Sequence, residues 1–251
     1  MIRALAFLFC LVVTPLAAEE VVAGLSRDEV RITANFDGSD ILIYGAVKRN
    51  APAATEPMEV IITVSGPAQT VNVRKKDWRL GIWVNTSAVE VDEAPSFYAV
   101  ASSGALRDVL TRTEDLRHRI SIPRAIRSVG APSTVENAAE FTDALIRIRT
   151  AKNLYQKLDN SVKLYDQTLF STTIDLPANL VEGPYDTRIF LVRGGVVVDD
   201  YETVINVNKV GLERWIYDLA HQQPLIYGLL SLFIAIVAGW GASAIFRYIR
   251  F

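Results

Sequence analysis

From Glu20 to Ser102 apolar and polar residues alternate in short runs divided by turn-forming residues. "EVRITANF" sets Val30, Ile32 and Ala34 against polar neighbours, "DGSD" leads into "ILIYGAVKR", and the Pro-rich "NAPAATEP" leads into "MEVIITVSG". "QTVNVRK", "WRLGIWVN" and "FYAVAS" continue the series. Runs about ten residues apart, with Gly, Pro, Asn and Asp between them, predict a β-sandwich or barrel. Within "RKKDWRLGIWVN" the alternation places Trp78, Leu80, Ile82 and Val84 on one strand face, read as core. Arg79, Gly81, Trp83 and Asn85 take the other face, and Arg74, Lys75 and Lys76 become the hairpin connection that precedes the strand.

After Ser102 the period changes. "ALRDVLTRTEDL" has helical spacing at Leu106, Val109 and Leu110, whereas "LRHRISIP" alternates and is compatible with a strand. A clearer helix is predicted from Ser133–Thr134, with Glu136 in its first turn. Phe141, Leu145, Ile148 and Tyr155 recur at helical intervals down to about Gln156. Strand patterns return in "QTLFSTTIDLP", "YDTRIFLVR" and "VVVDDYETVINV", the last two joined by Gly194-Gly195. Two glycines between apolar runs signal a hairpin, because primed turns need positive φ. Tyr185, just before a strand after a long corner, suits a tyrosine corner whose hydroxyl bonds back to the corner backbone. The chain thus reads as mainly β: an Ig-like β-sandwich with a helical insertion at about 104–156, plus one C-terminal transmembrane helix. Two stacked subdomains split by those helices are the alternative.

Both ends carry membrane signals. Residues 1–18 read as a signal peptide, with Arg3 as the positive region, Ala4 to Val13 as the apolar core, and Ala17-Ala18 before Glu19-Glu20. Cys10, the single cysteine, goes with that segment, so the exported part has no thiol. Near the other end Leu225 to Phe246 carries no charge and extends roughly 33 Å as a helix, enough to cross a hydrocarbon core. Arg247 and Arg250 follow at once, which puts the tail in the cytoplasm. The resulting division is a periplasmic domain over 19–210, a juxtamembrane helix over 211–223, a transmembrane helix over 224–246 and a cytoplasmic tail over 247–251. In the juxtamembrane part Leu212, Trp215, Ile216 and Leu219 share one helical face.

Several blocks, "RKKDWRLGIWVN", "PSFYAVASS", "LYDQTLFSTTIDLPANLVEGPYDTRIFLV" and "KVGLERWIYDLAHQQPLIYG", with the late "GW" of the membrane segment, resemble the alphaproteobacterial putative transmembrane protein family. The likeness runs over essentially the whole chain after the signal. It implies a Gram-negative periplasm facing the inner membrane. It further implies an accessory role beside sulfite-exporter-like anion permeases, and it carries over no catalytic residue.

Candidate chemistry is sparse. Hydrophobic residues make up 50% of the chain and the net charge is only -2, which fits neither a disordered chain nor a nucleic-acid binder. Of the two histidines, His221 lies beside the membrane segment, leaving His118 as the one histidine base for an exported enzyme. No nucleophile elbow, phosphate-binding loop or zinc-protease helix appears. Glu90, Asp92 and Glu93, and separately Asp199-Asp200, lack the shaped spacing of a hard-cation site and read as solvated turns. The expectation is therefore a non-enzyme without cofactor or metal.

Basic residues are the stronger signal. Arginines at 107, 112, 117, 119, 124 and 127 crowd one stretch, and the planar guanidinium suits small oxyanions or lipid headgroups as well as local ion pairs. Arg74, Lys75, Lys76, Arg79, Arg117 and Arg119 are the candidate anion or lipid contacts. In the membrane segment Ser231, Ala235, Gly239 and Ser243 recur four apart as a smooth stripe, a candidate surface for helix packing. The expected partners are the lipid bilayer and an inner-membrane protein or a second copy through the transmembrane helix, not nucleic acid.

Overall fold

In chain order the first strands are β1 (Glu19–Leu25), β2 (Glu29–Ile32), β3 (Gly38–Arg49), β4 (Met58–Ser65), β5 (Ala68–Arg79), β6 (Ile82–Pro95) and β7 (Tyr98–Ser102). Helices α1 (Leu106–Val109), α2 (Arg112–His118), α3 (Ile122–Ala125) and α4 (Ala138–Ala151) follow. Strands resume as β8 (Tyr155–Leu158), β9 (Lys163–Tyr165), β10 (Leu169–Pro177), β11 (Gly183–Arg193) and β12 (Val196–Lys209), before α5 (Leu212–Gln222) and α6 (Pro224–Ile249). This computed structural model describes residues 19–33, 36–49, 56–128, 138–210 and 212–249. The signal-peptide reading over 1–18 and the helix start read at Ser133, Thr134 and Glu136 fall outside the described residues.

The chain divides into two units, residues up to 30 with 37–207, and 31–36 with 208–251. In the first, one sheet has the order β1-β3-β10-β9, a second the order β2-β12-β11-β4-β7-β8, and β5 pairs only with β6. Alternation explains the layering. On β3 and β10, Ile41, Ile43, Phe170 and Ile174 are buried while Leu42 and Tyr44 face out, so that sheet has one covered face. On β4 and β11 the residues Val60 to Val64 and Ile189 to Val192 are buried without interruption, so the central strands are covered on both faces. Ile61, Phe190 and Val192 belong to a cluster with Leu106, Phe141 and Leu145, which places the helices against one of those faces. A bond from Val21 N to Asp199 Oδ2 of 2.8 Å links β1 to β12. The result is mainly β and sandwich-like, with a helical segment between β7 and β8.

The helical segment has a topological reason. β8 lies parallel to β7, and parallel neighbours need a long crossover, here supplied by α1 to α4. Its details correct two expectations. "LRHRISIP" is not a strand: Thr111 opens α2, its Oγ1 accepting from Glu114 N at 3.5 Å. Arg119 then closes α2 in the left-handed region (φ 52°), and Asp115 accepts from Ser121 N and Oγ at 2.7 and 2.8 Å. Nor does α4 run to Gln156. Asn153 turns left-handed (φ 56°), Leu154 N bonds back to the Arg149 carbonyl at 2.9 Å, and Tyr155 begins β8.

Two turns match their reading. Gly194 (φ 54°) and Gly195 (φ 82°) join β11 to β12 with positive φ at both places, as a primed turn requires. The Tyr185 hydroxyl donates to the Val181 carbonyl at 2.8 Å, closing the corner before β11. That side chain is fully buried, and its ring lies 6.0 Å from Phe97. Gly66 makes room for it, since a β-carbon there would sit 2.9 Å from the ring.

In the second unit α5 and α6 succeed one another, and Pro224 opens α6, where its missing N–H costs nothing. Val210 N donates to the Ile32 carbonyl at 2.8 Å. The 22-residue apolar stretch Pro224–Ile245 is long enough to cross a bilayer, and none of it is buried by the chain itself.

Candidate functional site

The β5–β6 pair is an arm whose root is in the core and whose tip is not. Val73, Val89, Val91 and Ala94 are buried in the cluster with the helices. Beyond them the register runs Lys76↔Asn85, Asp77↔Val84, Trp78↔Trp83 and Arg79↔Ile82, with an irregularity between Lys75 and Lys76. Leu80 (φ 49°) and Gly81 (φ 84°) form the two-residue turn. Two expectations fail here for one reason. The chain reverses at Leu80-Gly81, so Arg74, Lys75 and Lys76 lie inside a strand instead of at a turn. Among the described residues this sheet has only two strands, and Trp78, Leu80 and Ile82 are exposed with Val84 half-buried, so none of the four is core. Nor do they share a face, because the reversal sets Trp78 opposite Trp83 and puts Ile82 and Val84, opposite Arg79 and Asp77, on the other side.

The tip has its own order. Trp78 and Trp83 meet edge to face with ring centroids 5.4 Å apart. They are 60% and 64% exposed, Ile82 is 61% exposed, and Leu80 at the apex is wholly exposed. Asp77 accepts from the Thr86 hydroxyl at 2.8 Å. Arg74, Lys76 and Arg79 are exposed and have no ion partner among the described residues, while Lys75 Nζ lies 3.5 Å from Glu140 Oε2.

Lower on the arm a cavity of about 600 Å³ opens against α4, lined by Arg74, Lys75, Lys76 and Arg147 together with Glu140 and Asp143. Val73 and Phe141 form its apolar floor. The other candidate cations are elsewhere. Arg117 pairs with the buried Glu114 at 2.7 Å. Arg119 is an exposed residue whose carbonyl accepts from the Tyr98 hydroxyl and from Arg188, at 3.3 and 3.5 Å. The six candidates therefore divide between the arm and the end of α2. Arg147, and the apolar tip itself, escaped the sequence reading; the one signal for the tip was the Leu-Gly pair centred between two Trp residues.

Groups read as possible chemistry have structural partners. His118 Nε2 lies 3.5 Å from Glu114 Oε2, and its ring meets Phe190 edge to face at 5.5 Å. Glu93 and Arg127 exchange backbone bonds of 3.1 and 2.9 Å, and Asp199 is taken by Val21 N. No group of three His, Cys, Asp or Glu capable of holding a metal occurs among the described residues. Buried Arg149 donates to the Tyr155 hydroxyl at 2.9 Å and also to the Pro95 carbonyl. Burial pushes the Tyr155 phenol up against the opposing pull of that guanidinium. Tyr98, bonded to the Ile120 carbonyl at 2.7 Å, is pushed by burial up to about 12, with Arg188 working the other way.

On α6 Ser231, Ala235, Gly239 and Ser243 are all exposed, and a β-carbon added at Gly239 would meet nothing within 4 Å. On α5 Trp215, Ile216 and Tyr217 are exposed, and Tyr217 stacks on His221 with centroids 4.0 Å apart.

A family profile described as putative transmembrane protein (Alph_Pro_TM) matches residues 20–248. No curated protein matches the chain. Among solved structures, the sporulation control protein Spo0M from Bacillus subtilis aligns at 10% identity with a TM-score of 0.29, covering 82% of this chain and 55% of that one. The partial N-terminal region of an enterococcal surface protein aligns at 10% identity with a TM-score of 0.26, covering 79% and 45%. The chain thus spans about half the length of each solved structure.

Proposed function

The chain belongs to the putative transmembrane protein family Alph_Pro_TM and is a single-pass membrane protein; from that premise we propose that it is an accessory protein of the bacterial inner membrane. The β-rich domain faces the periplasm, the tail that follows Arg247 faces the cytoplasm, and the span docks on a polytopic partner. An anion permease of the sulfite-exporter kind is the partner class that the family resemblance implies. The role is binding, without catalysis.

The observation that carries this reading is the uncovered small-residue side of α6. Ser231, Ala235, Gly239 and Ser243 leave the helix backbone open, so a second helix can approach closely and gain dispersion contacts that lipid tails do not match. Crosslinking in native membranes, capture of the full chain and mass spectrometry of what comes with it test the proposal. Wild type should bring one polytopic protein, and Gly239→Leu should lose it while still inserting. A Gly239→Leu chain that keeps the same partner and full cellular function removes the span as the docking surface.

The cavity beside α4 favours a second reading, capture of a small oxyanion by Arg74, Lys75, Lys76 and Arg147. Glu140 and Asp143 in the same lining oppose it. Thermal stabilisation of the full chain by millimolar sulfite, sulfate or phosphate, lost in Arg74→Gln, supports this reading; the absence of any shift rejects it.

A further inference from the structure

The end of the β5–β6 arm is an apolar cap on a basic stalk; among the described residues the cap is exposed, and α4 meets the stalk only lower down, at Lys75. Leu80, Trp78, Trp83 and Ile82 put large apolar surface into water at one point. Local stability does not explain Leu80. Its φ of 49° lies in the left-handed region, where Asn or Gly fits and a leucine is strained. A residue that is both strained and wholly exposed gives the fold nothing, so its use lies outside the fold.

Chemistry selects the occupant. Paired indoles are amphipathic and favour the boundary between headgroups and acyl chains. Lys76 and Arg74 lie behind them and Arg79 lies between them and the apex, opposite Ile82. All three are free of carboxylate partners among the described residues, and Asp77, the one acid among residues 74–85, is held by Thr86. Cations behind and beside aromatic and aliphatic residues are complementary to anionic phospholipid, with phosphates outside and hydrocarbon beneath. An apolar protein groove would take the cap but has no such need for the cations. Moreover, the chain is anchored: only residues 210–223 separate the end of β12 at Lys209 from the membrane helix that begins at Pro224. For a tethered domain a weak contact suffices, because the second binding event is intramolecular.

We propose that the β5–β6 tip is a membrane-insertion element that seats in the interface of the anionic bilayer holding the chain's own span. Leu80 enters the acyl region, Trp78 and Trp83 lie at the boundary, Lys76 meets the phosphates, and Arg79 extends its long side chain back from beside the apex to reach them. The proposal rests on the membrane anchorage described above and not on any protein partner. A test in pure lipid therefore fails or succeeds independently of docking by α6.

The experiment uses the full chain carrying Trp215→Phe and Trp240→Phe, which leaves Trp78 and Trp83 as the only two of the four tryptophans. It is reconstituted into vesicles of phosphatidylethanolamine and phosphatidylglycerol, with or without bromine on the acyl chains. Blue-shifted emission with loss of intensity in the brominated vesicles is expected. Leu80→Asp should restore the intensity and shift the emission to the red. Lys76→Gln and Arg79→Gln should each lower the inserted-to-free ratio by about five-fold in phosphatidylglycerol vesicles, and neither should matter in phosphatidylcholine alone. Because the substituted side chains are exposed, an unchanged thermal transition confirms that these variants stay folded. Emission like that of tryptophan in water, untouched by bromine, overturns the proposal. So does blue-shifted emission that bromine does not quench, which means that protein, a second copy included, covers the tip.

Discussion

Leu80→Asn tests the claim that the arm's apex is strained for a purpose outside the fold. The native leucine holds φ at 49°, where an L-residue with a bulky side chain is disfavoured by about 1–2 kcal/mol. Asparagine tolerates the same region through local hydrogen bonding, so the exchange should return about 1 kcal/mol to the closed tip. Nothing is lost against this gain, because the Leu80 side chain is wholly exposed. The other local contribution, the Trp78–Trp83 edge-to-face contact at 5.4 Å, is worth about 0.5–1.5 kcal/mol and is untouched. The wild-type tip is thus balanced close to opening, with a strain of similar size to the contact that closes it. Since the tip can open without the core, the effect should appear in amide exchange and not in the global transition. Native-state exchange of the amides across Asp77–Val84 and Arg79–Ile82 should slow by about five-fold in Leu80→Asn. Unchanged or faster exchange would refute the argument, showing that the leucine packs on the indoles and stabilises the turn it occupies.

Two further outcomes concern the body of the domain. Tyr185→Phe keeps the ring against Phe97 but removes the 2.8 Å bond to the Val181 carbonyl; a loss of about 1 kcal/mol, or about 2–4 °C in thermal midpoint, is expected by circular dichroism. An unchanged midpoint means that the corner is held by packing alone. Burial holds the Tyr98 phenol at about 12 against an ordinary value of 10.0, so the folded state keeps its proton more tightly than the unfolded state does. That stabilisation is complete below pH 10 and disappears as pH rises through about 12. In denaturant titrations Tyr98→Phe should start lower by about 1–2 kcal/mol from the lost hydrogen bond and decline less steeply between those limits. An equally steep decline assigns the alkaline limb to other groups.

How far the sequence carried can be judged from particular residues. Gly194-Gly195 and Tyr185 act through local chemistry, positive φ and a hydroxyl four residues from its acceptor, and local chemistry is legible in a single chain. The apolar stretch at Pro224–Ile245 is similarly legible, because length and composition decide it. In "WRLGIWVN" the period-two alternation runs unbroken through Leu80-Gly81, so it gives one strand where the chain makes two and reverses between them. Among the described residues no third strand joins β5 and β6, and Trp78, Leu80 and Ile82 are left exposed on both sides of the ribbon. The arginine-rich stretch shows a different limit. Arg117 and Arg119 are near one another in sequence, but folding pairs the first with Glu114 and leaves the cations of β5 to face α4 and Arg147. Such a grouping depends on tertiary placement that no spacing encodes.

Among the described residues β5 pairs only with β6, so the far part of the arm has two unpaired edges there, each a ladder of donors and acceptors open to any extended chain. An apolar, flat ribbon of that kind would serve as a template for its own copies wherever many of them are close together. Arg74, Lys75, Lys76 and Arg79 place four positive charges along one of those edges, so a second arm approaching in register meets like charge along its length. The basic stalk therefore keeps the ribbon from zipping to its neighbours, whatever surface its tip finally meets.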